Sequence, residues 1–209
     1  MTEQPLTLEL RSIPTQARSK QTFEHILSTT GQLLEEVGFE AFNTNLLAER
    51  ANVAVRAIYR YFPNKFSLVL ELARRMELDW RDAVTRLTQQ EPHAEWPDIW
   101  PKYLDRYIDT VRSTPGGVAV LRAMKSHPSL RAIDEEMNAQ YIQDIANALQ
   151  TNATRFTKEK SKQVATLLLT TTVAVIDSTL DVTPRTANTQ IDLLKIMHQA
   201  LLLSTTTHP

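Results

Sequence analysis

Residues 43–62 read NTNLLAERANVAVRAIYRYF, and this stretch decides the fold. Leu47, Ala48, Ala51, Val53 and Ile58 supply its apolar faces. Two short helices are predicted, over 44–50 and 55–61, with only Ala51, Asn52, Val53 and Ala54 between them. Asn43 is placed to cap the first, because its side-chain oxygen accepts the free N–H groups of an opening turn. Asn52 is, after glycine, the residue that best tolerates the left-handed conformation such a tight turn needs. This is the spacing of a helix-turn-helix.

Outward from this stretch apolar residues recur at the three- and four-residue spacing of helices. Phe23, Ile26, Leu27, Leu33, Leu34 and Val37 form one apolar stripe, with Thr15 as its expected N-cap and Gly38 as its expected end. Phe66, Val69, Leu70, Ala73, Met76 and Trp80 form another over 64–90, with Asn64 placed to cap it. The ten prolines mark the remaining breaks, and helices are expected over roughly 97–113, 115–126, 128–152, 158–181 and 186–205. Pro115 and Pro128 sit near helix starts, where a missing N–H costs little. No alternating strand pattern bounded by turn dipeptides occurs. The expected fold class is all-α, with about nine helices and no internal repeat.

Composition excludes several function classes. Four glycines in 209 residues, with only Gly116 and Gly117 adjacent, leave no phosphate-cradling loop. The absence of cysteine removes thiol nucleophiles, thiolate metal sites and disulfides. His25, His93, His127, His198 and His208 are scattered, without the paired spacing of a metal site. Asp134, Glu135 and Glu136 are consecutive helix positions that point different ways, so a solvated face is expected there rather than a di-metal centre. No catalytic residue, metal or cofactor is expected. Glu3 and Glu9 interrupt the N-terminus, and no apolar run approaches a membrane span, so a soluble, cytoplasmic protein is expected.

The net charge of −1 hides an asymmetry. Residues 11–75 carry nine Lys and Arg against six Asp and Glu, so the remainder is acidic. A modestly basic segment coincides with the helix-turn-helix.

From about Arg18 to Leu70 the chain resembles transcriptional regulators of the TetR family. The residues that carry the resemblance are Ile26-Leu27, Leu33-Leu34, Gly38-Phe39, Thr44, Ala48, Ala51 and Val53. It closes on Ile58-Tyr59-Arg60-Tyr61-Phe62-Pro63-Asn64-Lys65 and Leu68, the most specific piece. Residues 75–209 carry no motif, as in the variable effector domains of that family. The resemblance implies a flexible arm over 1–14, a DNA-binding domain over 15–63, and an effector-binding and dimerisation domain over 64–209.

In this reading helix 55–61 enters a major groove, where Arg56 can donate two hydrogen bonds to a guanine. Val55 and Ala57 can meet a thymine methyl. Thr44, Tyr59, Tyr61 and Lys65 resemble the family's phosphate-contacting set, and Arg18 and Lys20, with Arg11 on the arm, can add backbone or minor-groove contacts. Lys65 near a helix start suits the local dipole poorly, which an external anion would explain. Two positions depart from the family pattern: Asn52 replaces the usual glycine, and Ala54 the usual Ser or Thr. Ala54 cannot accept a capping hydrogen bond, which costs the recognition helix about 1 kcal/mol.

One helix-turn-helix reads a half-site, so a homodimer on a palindromic double-stranded operator is expected. Leu168, Val175, Ile176, Leu194, Met197 and Leu201 on the last two helices are the expected interface. Met76, Trp80, Trp100, Tyr103, Tyr107, Met124 and Tyr141 are the candidate lining of a pocket for a mostly apolar small-molecule effector. The expected function is a repressor released from DNA by that effector. The alternative is a TetR-like helical interaction protein with weakened or lost DNA binding, and Ala54 is the residue in its favour.

Overall fold

The protein is described by a computed structural model covering residues 7–152, 156–179 and 182–204. Among these residues the chain forms nine helices and no strand. They are α1 (Ala17–Ala41), α2 (Thr44–Arg50), α3 (Val55–Tyr59), α4 (Lys65–Gln90), α5 (Trp96–Ser113), α6 (Gly117–Ser126), α7 (Pro128–Asn152), α8 (Lys158–Thr179) and α9 (Pro184–Ser204). The all-α fold is as the sequence implies. Residues 180 and 181, expected to end α8, and residue 205, expected to end α9, lie outside the described residues.

Local chemistry sets most boundaries. The Asn43 side chain accepts from the N–H groups of Asn45 and Leu46, opening α2. Asn64 opens α4 in the same way, accepting from Ser67 N at 3.0 Å while the Ser67 hydroxyl returns to the Asn64 carbonyl at 2.7 Å. One expectation is corrected in α1. It begins after Gln16 without a side-chain cap, so Thr15 is not the N-cap. The regular helix ends at Gly38, as expected: Gly38 adopts φ 71°, and a short second piece continues to Ala41 across the kink.

The chain divides into two compact units, the first comprising the residues up to Trp80 with Asp109–Asp134, the second Arg81–Ile108 with the residues from Glu135 onward. The expected division between residues 63 and 64 thus falls inside the first unit. The reason is α6, which packs against α1. That packing is main chain on main chain. A Cβ on Gly31 would lie 2.1 Å from the Pro115 carbonyl oxygen, and one on Gly116 2.1 Å from that of Gly31. Gly116 also holds φ 69°, which a side chain would strain.

The core of the first unit is Phe23, Ile26, Leu27, Leu33, Leu34, Leu47, Ile58, Phe62 and Leu68, all buried. In the second unit α8 and α9 pack on each other. Its core gathers Trp96, Trp100, Ile145, Leu149, Val164, Leu168 and Leu202.

Candidate nucleic-acid interface

The turn between α2 and α3 is built as its sequence suggests, with Asn52 at φ 50°. Helix α1 holds that turn from beneath: the His25 Nε2–H donates to the Ala51 carbonyl at 2.9 Å. Phe23, two residues earlier on α1, stacks on Phe62 at 4.9 Å and meets Tyr61 edge-on at 5.3 Å. Ile58 fixes the inner face of α3, being wholly buried. What remains outward on α3 is Arg56, Tyr59 and Arg60, with Val55 and Ala57 half-buried beside them.

Arg56 and Arg60 face an open cleft of about 490 Å³, lined by Gln16, Arg18, Ser19, Thr22, Arg56, Ala57, Arg60 and Tyr61. Three guanidinium groups line it and no carboxylate does. Arg18 and Arg56 form no ion pair among the described residues, while Arg60 lies over the Tyr61 ring at 5.6 Å. Guanidinium forks held open without a carboxylate partner suit phosphate oxygens and base-edge acceptors. Away from the cleft, the hydroxyls of Thr44 and Tyr59 lie 3.1 Å apart, joining the start of α2 to the end of α3.

The expected contact residues therefore separate. Arg18 and Arg56 share the cleft, and Thr44 and Tyr59 form a hydroxyl pair. Ala54, exposed and extended, precedes α3 and offers no cap. Tyr61 is 3% exposed, its ring spent on Phe23. Lys65 turns inward: its ammonium donates to the carbonyls of Phe39 at 3.0 Å and Phe42 at 3.2 Å, and sits 4.3 Å from the Phe39 ring. An internal anion-like partner, the carbonyls at the end of α1, accounts for Lys65 where an external anion was expected.

Sequence reasoning missed the roles of His25 and of the segment before α1. His25 was one of five scattered histidines, and nothing local shows that it reaches a turn 26 residues away. Arg11 and Ser12, in the arm expected to be flexible, are hydrogen-bonded to the carbonyls at the end of α3.

The other candidate residues fall on both compact units. Met76 and Met124 are buried in the first, to which Trp80 also belongs; Trp100, Tyr103, Tyr107 and Tyr141 belong to the second. There the Trp100 indole donates to His198, the Tyr103 hydroxyl pairs with Thr88 at 2.9 Å, and Arg81 lies over Tyr141 at 5.2 Å. Of the expected interface, Leu168, Ile176 and Leu194 are buried within the protomer and Val175 and Leu201 partly so. Met197, 47% exposed, is outward, as are Leu167, Leu193, Ile196 and Leu203. Leu167 and Leu193 stand next to the expected Leu168 and Leu194, and Met197 is common to both sets.

A helix-turn-helix whose outer face is an open cationic cleft defines a class, the helix-turn-helix regulators. The description "Bacterial regulatory proteins, tetR family" matches residues 26–72, and "Tetracyclin repressor-like, C-terminal domain" matches residues 94–205. The chain belongs to the TetR family of transcriptional regulators. Over 59 residues it is 44% identical to the HTH-type transcriptional repressor KstR of Rhodococcus jostii, a match that spans 28% of each chain. KstR of Mycolicibacterium smegmatis is 40% identical over 62 residues, 30% of each chain. The matched part is thus less than a third of those repressors' length. Two solved structures share the fold over nearly the whole chain. The fatty acid degradation regulator FadR from Bacillus halodurans has a TM-score of 0.68 at 17% identity, covering 94% of this chain and 100% of that one. A TetR-family transcriptional regulator from Streptomyces coelicolor has a TM-score of 0.63 at 22% identity, covering 88% and 99%.

Proposed function

We propose that this chain is a homodimeric repressor that reads a palindromic operator and leaves it when a mostly apolar small molecule binds. The cleft bounded by Arg18, Arg56 and Arg60 carries the reading, because it places unpaired guanidinium groups beside an exposed recognition helix. Arg56 reads a guanine edge; Arg18, Arg60 and the Thr44–Tyr59 hydroxyl pair fix the helix on phosphates. Lys65 and Tyr61 support the domain from within.

The outward stripe of α8 and α9 supports dimerisation. Leu167, Leu193, Ile196, Met197 and Leu203 are large, apolar and about half exposed or more, which a second protomer would cover. Leu168, Ile176 and Leu194 hold the helix pair to its own unit. The effector reading rests on the aromatic residues of the second unit, Trp100, Tyr103, Tyr107 and Tyr141. The Ser161 hydroxyl, one turn before Val164, is buried without a hydrogen-bond partner, and a ligand's polar end would satisfy it. No described helix is long and apolar enough to cross a membrane, consistent with a cytoplasmic regulator.

Fluorescence anisotropy with a labelled duplex from upstream of the protein's own gene tests the reading. Selective, salt-sensitive binding is expected, with Arg56→Ala weakening it by about tenfold or more and flattening the preference over a random duplex. Wild type binding both duplexes alike, or neither, would sink it.

A further inference from the structure

Helix α3 is short of support at its beginning and well supplied at its end. It spans five residues, too few to be stable alone, and Ala54 gives its first N–H groups no side-chain acceptor. At its other end a helix leaves carbonyl oxygens without intrahelical donors. Here the carbonyls of Tyr59, Arg60 and Tyr61 are each taken by the segment that precedes α1. The Arg11 guanidinium donates to the Tyr59 oxygen at 3.1 Å, the Ser12 hydroxyl to the Arg60 oxygen at 2.9 Å, and the Arg11 main-chain N–H to the Tyr61 oxygen at 2.8 Å. The same guanidinium stands 6.0 Å over the Tyr59 ring, whose hydroxyl meets Thr44.

The segment is itself moored. The Thr7 carbonyl accepts from the Asn64 side chain at 2.7 Å, and Glu9 pairs with Arg74 at 3.0 Å. Both moorings lie at or beyond the start of α4, so the segment runs from α4 across the end of α3 and into α1. Arg11 is thereby occupied on the protein and is not extended toward a groove.

We propose that residues 7–12 form a strap that holds α3 in its DNA-reading geometry, with Arg11 as the positioning residue, and that the strap compensates for the missing cap at Ala54. The proposal rests on the DNA-reading role given to α3 above. The strap acts on selectivity: it sets how α3 presents Arg56 and Tyr59, and it neutralises no phosphate.

Three full-length variants test this: Arg11→Ala with Ser12→Ala, Ala54→Ser, and all three changes together. In the DNA-free protein, deuterium uptake over residues 55–62 rises several-fold in the strap variant and returns toward wild type when Ala54→Ser restores a cap. With the upstream duplex, the strap variant binds about tenfold more weakly, with an unchanged salt slope and unchanged affinity for a random duplex. Unchanged uptake and affinity overturn the strap. So does a salt slope reduced by about one with equal losses on both duplexes, which makes Arg11 a phosphate contact. Failure of Ala54→Ser to rescue overturns the compensation. If wild type selects no duplex, the DNA-reading role fails instead, and the exchange measurement still decides the strap.

Discussion

The indole N–H of Trp100 donates to Nδ1 of His198 across 2.8 Å, deep in the second unit. That bond fixes the tautomer, because Nδ1 must accept and Nε2 must carry the proton. Nε2 then meets the Thr171 hydroxyl at 2.7 Å, which passes its own hydrogen to the Leu167 carbonyl at 2.6 Å. Three helices, α5, α9 and α8, are joined by one directed chain of hydrogen bonds.

Burial lowers the His198 pKa from 6.5 to about 4, so the folded protein keeps the imidazole neutral. An unfolded chain takes up that proton below pH 6.5 and the folded one does not, so stability falls as pH drops from 6.5 toward 4. The slope contributed approaches about 1.4 kcal/mol per pH unit. Thermal unfolding across this window should show a slope that is flatter in His198→Gln, which is less stable at neutral pH. Parallel pH profiles for the two proteins would refute the assignment.

Lys65→Ala leaves the Phe39 and Phe42 carbonyls without their ammonium donor. The loss should be about 1–2 kcal/mol in chemical denaturation, since a hydrogen bond from a charged group is removed. The salt slope of DNA binding should not change. A drop of about one in that slope would return Lys65 to the phosphate backbone.

On α9, Ile196 is exposed and Leu194 buried, so their substitutions should act differently. Ile196→Asp, at 62% exposure, should dissociate a dimer while leaving the melting of the protomer nearly unaltered. Leu194→Ala, at 2% exposure, should cost about 2–5 kcal/mol through an internal cavity. Analytical ultracentrifugation paired with thermal unfolding separates the two effects. A dimer that survives Ile196→Asp would place the interface elsewhere.

Gly31→Ala inserts a methyl where the Pro115 carbonyl oxygen already lies at 2.1 Å. Overpacking against main chain should destabilise by about 1–3 kcal/mol, the opposite of what Ala gives at an ordinary helix position. Stabilisation measured by urea unfolding would show that α1 and α6 are not in contact as described.

Much of the fold was legible because its signals are local. Asn43, Asn52 and Asn64 act within three residues of themselves, and the three-to-four spacing of apolar residues marks helices wherever they go. What escaped depends on distant partners or on a choice between equal faces. Lys65 reaches carbonyls at the end of α1, and Arg11 reaches the end of α3; neither pairing leaves a trace in nearby sequence. On α8 and α9, Leu167 stands next to Leu168 and Leu193 next to Leu194. Period alone cannot tell an inner leucine from an outer one, so the expected set mixes buried Leu168 and Leu194 with exposed Met197. The cationic cleft was half visible: Arg18 and Arg56 were singled out, while the gathering of Arg60 with them needed α1 laid beside α3.

Where Gly31 and Gly116 meet, there is no side chain to take up slack. Ordinary helix contacts are cushioned, because a rotamer can swing and absorb a small displacement before the neighbouring backbone feels it. This junction has no such cushion, so the start of α6 and the middle of α1 travel together or come apart. His25 and Phe23, on the same α1, grip the turn and the aromatic end of the helix-turn-helix. The uncushioned junction with α6 and the grip on the helix-turn-helix are thus carried by one and the same helix.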